Sequence, residues 1–143
     1  MGTKQLDLYI VAVIVIIPNS KGEILIGQRV AEGDWKNLYE VPQGKLDYTD
    51  KGTKEAAIRE VLEETNLTVE LEDSPIAIKH YPHSSTRNNY GLLALTYVAT
   101  KAEGELQSLE SENLRYMKPE DTLKLGLPIW IRDSIETYLA KDS

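Results

Sequence analysis

The sequence predicts an α/β domain, and three observations carry that reading. Leu8 to Ile17 is nearly continuous in apolarity and rich in β-branched residues, the pattern of a strand buried on both faces. Thr53 to Thr65 has helical periodicity, with Ala56, Ala57, Val61 and Leu62 as its apolar stripe. Strand-like runs separated by polar turns follow, and an amphipathic helix from Leu127 to Leu139 closes the chain.

Each element has a local reason. The first strand stops at Pro18-Asn19-Ser20-Lys21-Gly22, a turn by composition, and Glu23 to Arg29 reads as its hairpin partner. Residues 33–52 are dense in Gly, Pro, Asp and Asn, interrupted by Leu38-Tyr39-Glu40-Val41, and a loop of that length in a compact domain points to function. Trp35 and Tyr39 anchor it, Tyr39 as a core residue and Trp35 as either core or an aromatic stacking surface. Thr53 is the expected N-cap of the helix, and Asn66, which tolerates the left-handed conformation, its C-cap. Thr68 to Leu71, Pro75 to Tyr81 and Tyr90 to Ala99 read as strands, Glu103 to Asn113 as an acidic loop, and Leu114 to Met117 as a short strand. Pro128 falls in the first turn of the last helix, where proline is tolerated. With 143 residues and neither a repeat nor a linker, the expectation is one domain spanning 1–143.

Composition removes several classes of function. With 23 acidic against 16 basic residues the formal charge is −7, which argues against binding nucleic acid by neutralising phosphates. No cysteine is present, so disulfides, thiolate metal sites and cysteine nucleophiles are excluded. The two histidines, His80 and His83, are too few for an ordinary zinc or haem site, although they flank Tyr81-Pro82 and are candidates for a substrate mouth. The run from Leu8 to Pro18 is too short for a membrane span and lacks signal-peptide flanks, so a soluble cytoplasmic protein without a membrane partner is expected.

The chemistry concentrates in Arg59-Glu60-Val61-Leu62-Glu63-Glu64. Residues three and four apart share a helix face, so Glu60, Glu63 and Glu64 enter one small volume. Such a cluster is a solvated face, a salt-bridge network or a site for a hard cation. The glycine-bearing loop ahead of the helix and the stripe that packs the helix on a core favour the cation. All-oxygen ligation suits Mg²⁺, Mn²⁺ or Ca²⁺, and Mg²⁺ typically takes one or two carboxylates while keeping waters. An EF-hand loop beginning at Asp47 fails because its twelfth position is Ile58, and a P-loop fails because Gly44-Lys45 is followed by leucine.

Gly44 with Arg59-Glu60-Val61-Leu62-Glu63-Glu64-Thr65-Asn66-Leu67 resembles the Nudix box, Gx5Ex7REUxEExGU with U aliphatic, here at about residues 44–67. Trp35 and Val41-Pro42-Gln43-Gly44 resemble the W and PGG elements ahead of the box, and Glu55-Ala56-Ala57 the EAA segment within it. The chain departs from the pattern in three ways. One extra residue lies between Gly44 and Arg59, so Asp50 or Lys51 stands for the loop glutamate; Asn66 replaces the late glycine; and Gln43 replaces the first glycine of PGG.

The resemblance implies a Nudix-type α/β/α sandwich around a mixed β-sheet and a Mg²⁺-dependent pyrophosphohydrolase cleaving a nucleoside diphosphate linked to another moiety. The small size looks more like the MutT-type (d)NTP pyrophosphatases. ADP-ribose, nucleotide-sugar or dinucleoside polyphosphate hydrolases are the alternatives, Pro82 being the one hint of the ADP-ribose group, and a non-catalytic nucleotide sensor is a further one. By resemblance Glu60, Glu63, Glu64 and the carbonyl of Gln43 would hold metal, and Glu63, Glu64 and Glu110 would be catalytic, with Glu112 the neighbour considered beside Glu110. Gly44, Asp50 and Arg59 would support the box. The partner expected is a small nucleotide-type diphosphate, the protein a monomer or homodimer; the substrate-binding residues are not readable from the motif.

Overall fold

A computed structural model describes residues 7–30, 32–33, 35–82 and 90–141; His83 lies outside them. Strand β1 (Tyr9–Ile16) is the centre of the molecule. Because successive side chains of a strand point to opposite faces, Val13, Val15 and Ile17 enter one apolar cluster and Ala12, Ile14 and Ile16 a second. The unbroken apolar run therefore serves two cores.

The first core is closed by helix α1 (Thr53–Thr65), which contributes Ala56, Ala57 and Val61. The short α2 (Pro119–Thr122) and the 13-residue α3 (Ile129–Lys141) follow late in the chain. Helix α3 closes the second core with Trp130, Ile131 and Ile135. Between the helices lies a mixed five-stranded sheet in the order β4-β1-β7-β5, with β6 also paired to β7. Its members are β4 (Gln43–Lys45), β5 (Thr68–Leu71), β6 (Ala77–Tyr81) and β7 (Gly91–Glu103). β1 and β7 run parallel in register from Tyr9 beside Gly91 to Ile16 beside Val98. A second, antiparallel sheet has the order β3-β2-β8, from β2 (Ile24–Arg29), β3 (Tyr39–Glu40) and β8 (Ser111–Met117). This is the predicted α/β/α sandwich around a mixed sheet, with a small sheet added.

Four expectations need correction. β1 and β2 are not a ladder hairpin: they meet only at the Pro18–Ile24 bridge and the Leu25 N–H to Ile17 carbonyl bond, because β1 takes β4 and β7 as its neighbours. The N-cap of α1 is Gly52, whose carbonyl accepts from Ala56 N–H at 3.1 Å. Thr53 spends its hydroxyl on Tyr97 Oη at 2.7 Å instead of capping. Leu62 is exposed, and Thr65, completely buried, takes its place by donating its hydroxyl back to the Val61 carbonyl at 2.7 Å. Tyr39 is half-buried outside both cores, with the Arg115 guanidinium 5.6 Å from its ring centroid. Asn66 is confirmed as C-cap at φ 66°, its N–H donating to the Leu62 carbonyl.

Candidate active site

The site is built on the outer edge of β4. Pro42 and Leu46 spend backbone groups on β1, through Val15 N–H to Pro42 O at 2.9 Å and Leu46 N–H to Val11 O at 2.8 Å. Antiparallel alternation therefore turns the backbone groups of Gln43 and Lys45 the other way, toward α1. Gln43 N–H donates to Glu64 Oε2 at 3.1 Å, and the Lys45 carbonyl accepts from Arg59 Nη2 at 3.2 Å. The Gln43 carbonyl shares that free edge.

Gly44 sits between these two contacts under Glu60. A Cβ added there would lie 2.0 Å from the Glu60 carboxyl carbon, so the absence of a side chain is what lets that carboxylate rest on the strand. Arg59 ties the rest together. It donates Nε to Asp50 Oδ1 at 2.9 Å and Nη2 to Asp50 Oδ2 at 2.8 Å, while Nη1 reaches Glu60 at 3.0 Å and Glu63 at 3.3 Å. Asp50 also accepts from Asp47 N–H at 2.8 Å. The Arg59 hydrogen bonds, then the Asp47 N–H, hold the Asp50 carboxyl down at about 2. Of the two loop candidates, Asp50 and Lys51, it is Asp50 that bonds Arg59.

A cavity of about 720 Å³ opens beside this arrangement, and Gly44, Glu60, Glu64 and Glu110 line it. Glu63 does not; it lies on the exposed flank of α1, bonded to Arg59. Glu110, just ahead of β8, reaches the cavity, whereas Glu112 points from an exposed position of β8 and does not. Burial pushes the Glu64 carboxyl up to about 9, with Glu40, Glu60 and Glu110 adding repulsion against the Gln43 N–H. Glu60 is also raised, by burial first, with Arg59 opposing.

Sequence reasoning missed three contributors. Glu40, in the short strand β3, lines the cavity with its carboxyl raised by burial and opposed by Gln43 and Arg29. Its signal was a lone charge between Tyr39 and Val41, four residues ahead of Gly44. Arg29 and Trp130 also line the wall, and Trp130 meets Trp35 edge to face at 5.0 Å. Trp35 is consequently both core and cavity. His80 is not at the mouth: it lies on β6 and pairs with the Tyr9 hydroxyl at 2.8 Å.

The donor set fits a hard divalent cation. It consists of carboxylate oxygens and a strand-edge carbonyl, and its burial makes Glu64 costly to ionise without a positive partner. Among the described residues no three such side chains are gathered closely enough to ligate one ion as they stand, and Arg59 Nη1 lies between Glu60 and Glu63.

The NUDIX domain profile matches residues 8–138. The chain belongs to the Nudix family. It is 27% identical over 132 residues to the CTP pyrophosphohydrolase of Escherichia coli K12, covering 91% of this chain and 92% of that protein. The solution structure of the E. coli ORF135 protein superposes with a TM-score of 0.82 at 25% identity, covering 96% of this chain and 93% of that one. The crystal structure of the MutT protein from Methanosarcina mazei Go1 gives 0.80 at 23%, covering 98% and 99%, and shares the fold. This Nudix chain is MutT-like and a pyrophosphohydrolase, of a family that acts on small nucleotide-type substrates and generally uses divalent metals. Among the described residues no helix is long and apolar enough to cross a membrane.

Proposed function

We propose that this Nudix chain, acting as one catalytic domain, is a Mg²⁺-dependent, MutT-like nucleoside triphosphate pyrophosphatase, with Mn²⁺ able to substitute. The observation that carries the reading is the cavity itself, which the carboxylates of Glu60, Glu64 and Glu110 line together with Trp35 and Trp130. An anionic diphosphate would be repelled by the carboxylates without a cation, and a flat base is accommodated by the tryptophans.

Glu60, Glu64 and the Gln43 carbonyl would hold the metal, with Glu63 joining them on release from Arg59. A bound divalent ion supplies charge neutralisation for the diphosphate and acidifies the attacking water. Arg59 keeps Glu60 in place and is itself fixed by Asp50 and the Lys45 carbonyl. Glu110, which lines the same cavity, would take a proton from the attacking water. Similarity to the CTP pyrophosphohydrolase supports a triphosphate over other linked diphosphates.

Product analysis tests the reading. With Mg²⁺ and a panel of NTPs, dNTPs, ADP-ribose, nucleotide sugars and dinucleoside polyphosphates, nucleoside monophosphate plus pyrophosphate is the expected outcome. AMP plus ribose 5-phosphate would move the assignment to ADP-ribose, and tight nucleotide binding without turnover would make the protein a sensor.

A further inference from the structure

Gln43 stands where the Nudix pattern carries a glycine, yet nothing in its backbone requires glycine, since its φ is not positive. Its side chain instead bridges two walls of the cavity. Oε1 accepts from Trp130 Nε1 at 3.1 Å, and Nε2 donates to Glu40 Oε2 at 2.6 Å. The indole N–H is only a donor, so Trp130 fixes Oε1 as the end of the amide that faces it and leaves Nε2 to face Glu40. Arg29 Nη1 reaches the same Glu40 oxygen at 3.5 Å.

Glu40 is thereby left with one uncommitted oxygen. Oε1 has no hydrogen-bond donor among the described residues. No buried side-chain oxygen or nitrogen among them lacks a partner, so Oε1 is not fully buried, and Glu40 is one of the residues that line the cavity. Trp130, joined to Glu40 through Gln43, and Trp35, which packs on Trp130, line the same cavity. A flat ring entering here meets aromatic surface and, at its edge, an acceptor held in one direction. A ring amino group can donate to that oxygen. A ring carbonyl in the same place would face oxygen with no proton between, and each side would lose its hydration without replacement.

We propose that Gln43 is a positioning residue for substrate selectivity, holding Glu40 so that the cavity accepts nucleobases with an exocyclic amino group in preference to their keto counterparts. The inference rests on the nucleotide reading above. It extends that reading to a class of base and gives the glycine-to-glutamine departure a function: Gln43 couples the orientation of Glu40 to the buried Trp130.

The test is calorimetric binding, with Mg²⁺ present, of α,β-methylene CTP against α,β-methylene UTP and of the ATP against the ITP analogue. None of these can be cleaved at the α,β position. The wild type is expected to bind the amino member of each pair at least about tenfold more tightly, as a site built around a substrate N–H rejects the analogue lacking it. Gln43→Leu should bring the ratio close to unity, mainly by weakening the amino member. A residue needed only for structure would weaken both alike. Glu40→Gln should remove or invert the preference, because its amide can offer N–H to a carbonyl. Equal binding of amino and keto analogues by the wild type, or a full preference retained in Gln43→Leu, overturns the inference while leaving the pyrophosphatase reading intact. Failure of every analogue to bind overturns both.

Discussion

Arg59 grips Asp50 through two parallel hydrogen bonds, Nε to Oδ1 at 2.9 Å and Nη2 to Oδ2 at 2.8 Å. This fork is the joint between the box loop and the acidic helix. Asp is one methylene shorter than the glutamate of the Nudix pattern, and one extra residue separates Gly44 from Arg59, yet the two-bond fork forms. Freed of Asp50, the guanidinium would no longer be fixed beside Glu60. Asp50→Ala is therefore expected to lower kcat/KM by about 10- to 100-fold, the range for groups that orient metal ligands. Far-UV circular dichroism should remain that of the wild type. Undiminished activity in Asp50→Ala would show that the fork is ornamental.

Gly44 makes a separable prediction. An alanine methyl there would occupy the position of the Glu60 carboxyl group, and that carboxylate, at the end of a flexible side chain, would have to move off the strand. Gly44→Ala should fold and lose activity, with the Mg²⁺ concentration for half-maximal rate rising by about tenfold or more. Steady-state rates across a magnesium titration read this directly; an unchanged magnesium requirement would mean that Glu60 need not lie against β4.

Glu64 gives the protein a pH signature. Its folded carboxyl is pushed up to about 9 from an ordinary 4.5, so between these values the metal-free folded protein keeps a proton that the unfolded chain releases. The stability contributed by that proton is complete below the unfolded value and is lost as pH rises toward the folded one. Glu64→Gln should flatten this fall in denaturation experiments. A divalent cation needs the carboxylate, so its binding must expel the proton, and apparent Mg²⁺ affinity should climb from about pH 6 to about pH 9. Titrations in buffers of differing ionisation heat would detect the released proton, and a flat affinity across this range contradicts the assignment.

The cap at Asn66 is a purely structural matter. Its φ of 66° places it in the left-handed region, and its Nδ2 donates to the Glu105 carbonyl at 3.0 Å. Asn66→Ala should cost about 1–2 kcal/mol, the penalty of a Cβ in that conformation. Asn66→Gly should cost less, since glycine enters it freely. Thermal melts settle the order, and an alanine variant as stable as the glycine one would contradict it.

Much of this was legible because it is locally encoded. Periodicity placed β1 and α1, and the asparagine after Thr65 announced the helix end. Partnership is not local: the turn at Pro18 to Gly22 says that the chain reverses, not that β1 prefers β4 and β7 while β2 joins another sheet. β7 runs on to Glu103 because its polar end pairs with β5, although residues 101–103 look like the start of a loop. At the site, the Nudix box drew attention to Glu60, Glu63 and Glu64. Trp130 matters through tertiary approach to Gln43, and nothing in spacing joins residues 87 positions apart; Glu40 is only three residues from Gln43, but its burial against the cavity is not written in the local sequence.

Whether the α1 carboxylates, exposed Glu63 and cavity-lining Glu64, serve metal-dependent pyrophosphate release is read from initial rates of that release against Mg²⁺ for wild type, Glu63→Gln and Glu64→Gln. Turnover of a nucleoside triphosphate that chelation abolishes is expected, with each variant slower by about 10²-fold or more. Absence of metal-dependent turnover on the whole substrate panel, with both variants indistinguishable from wild type, would contradict it.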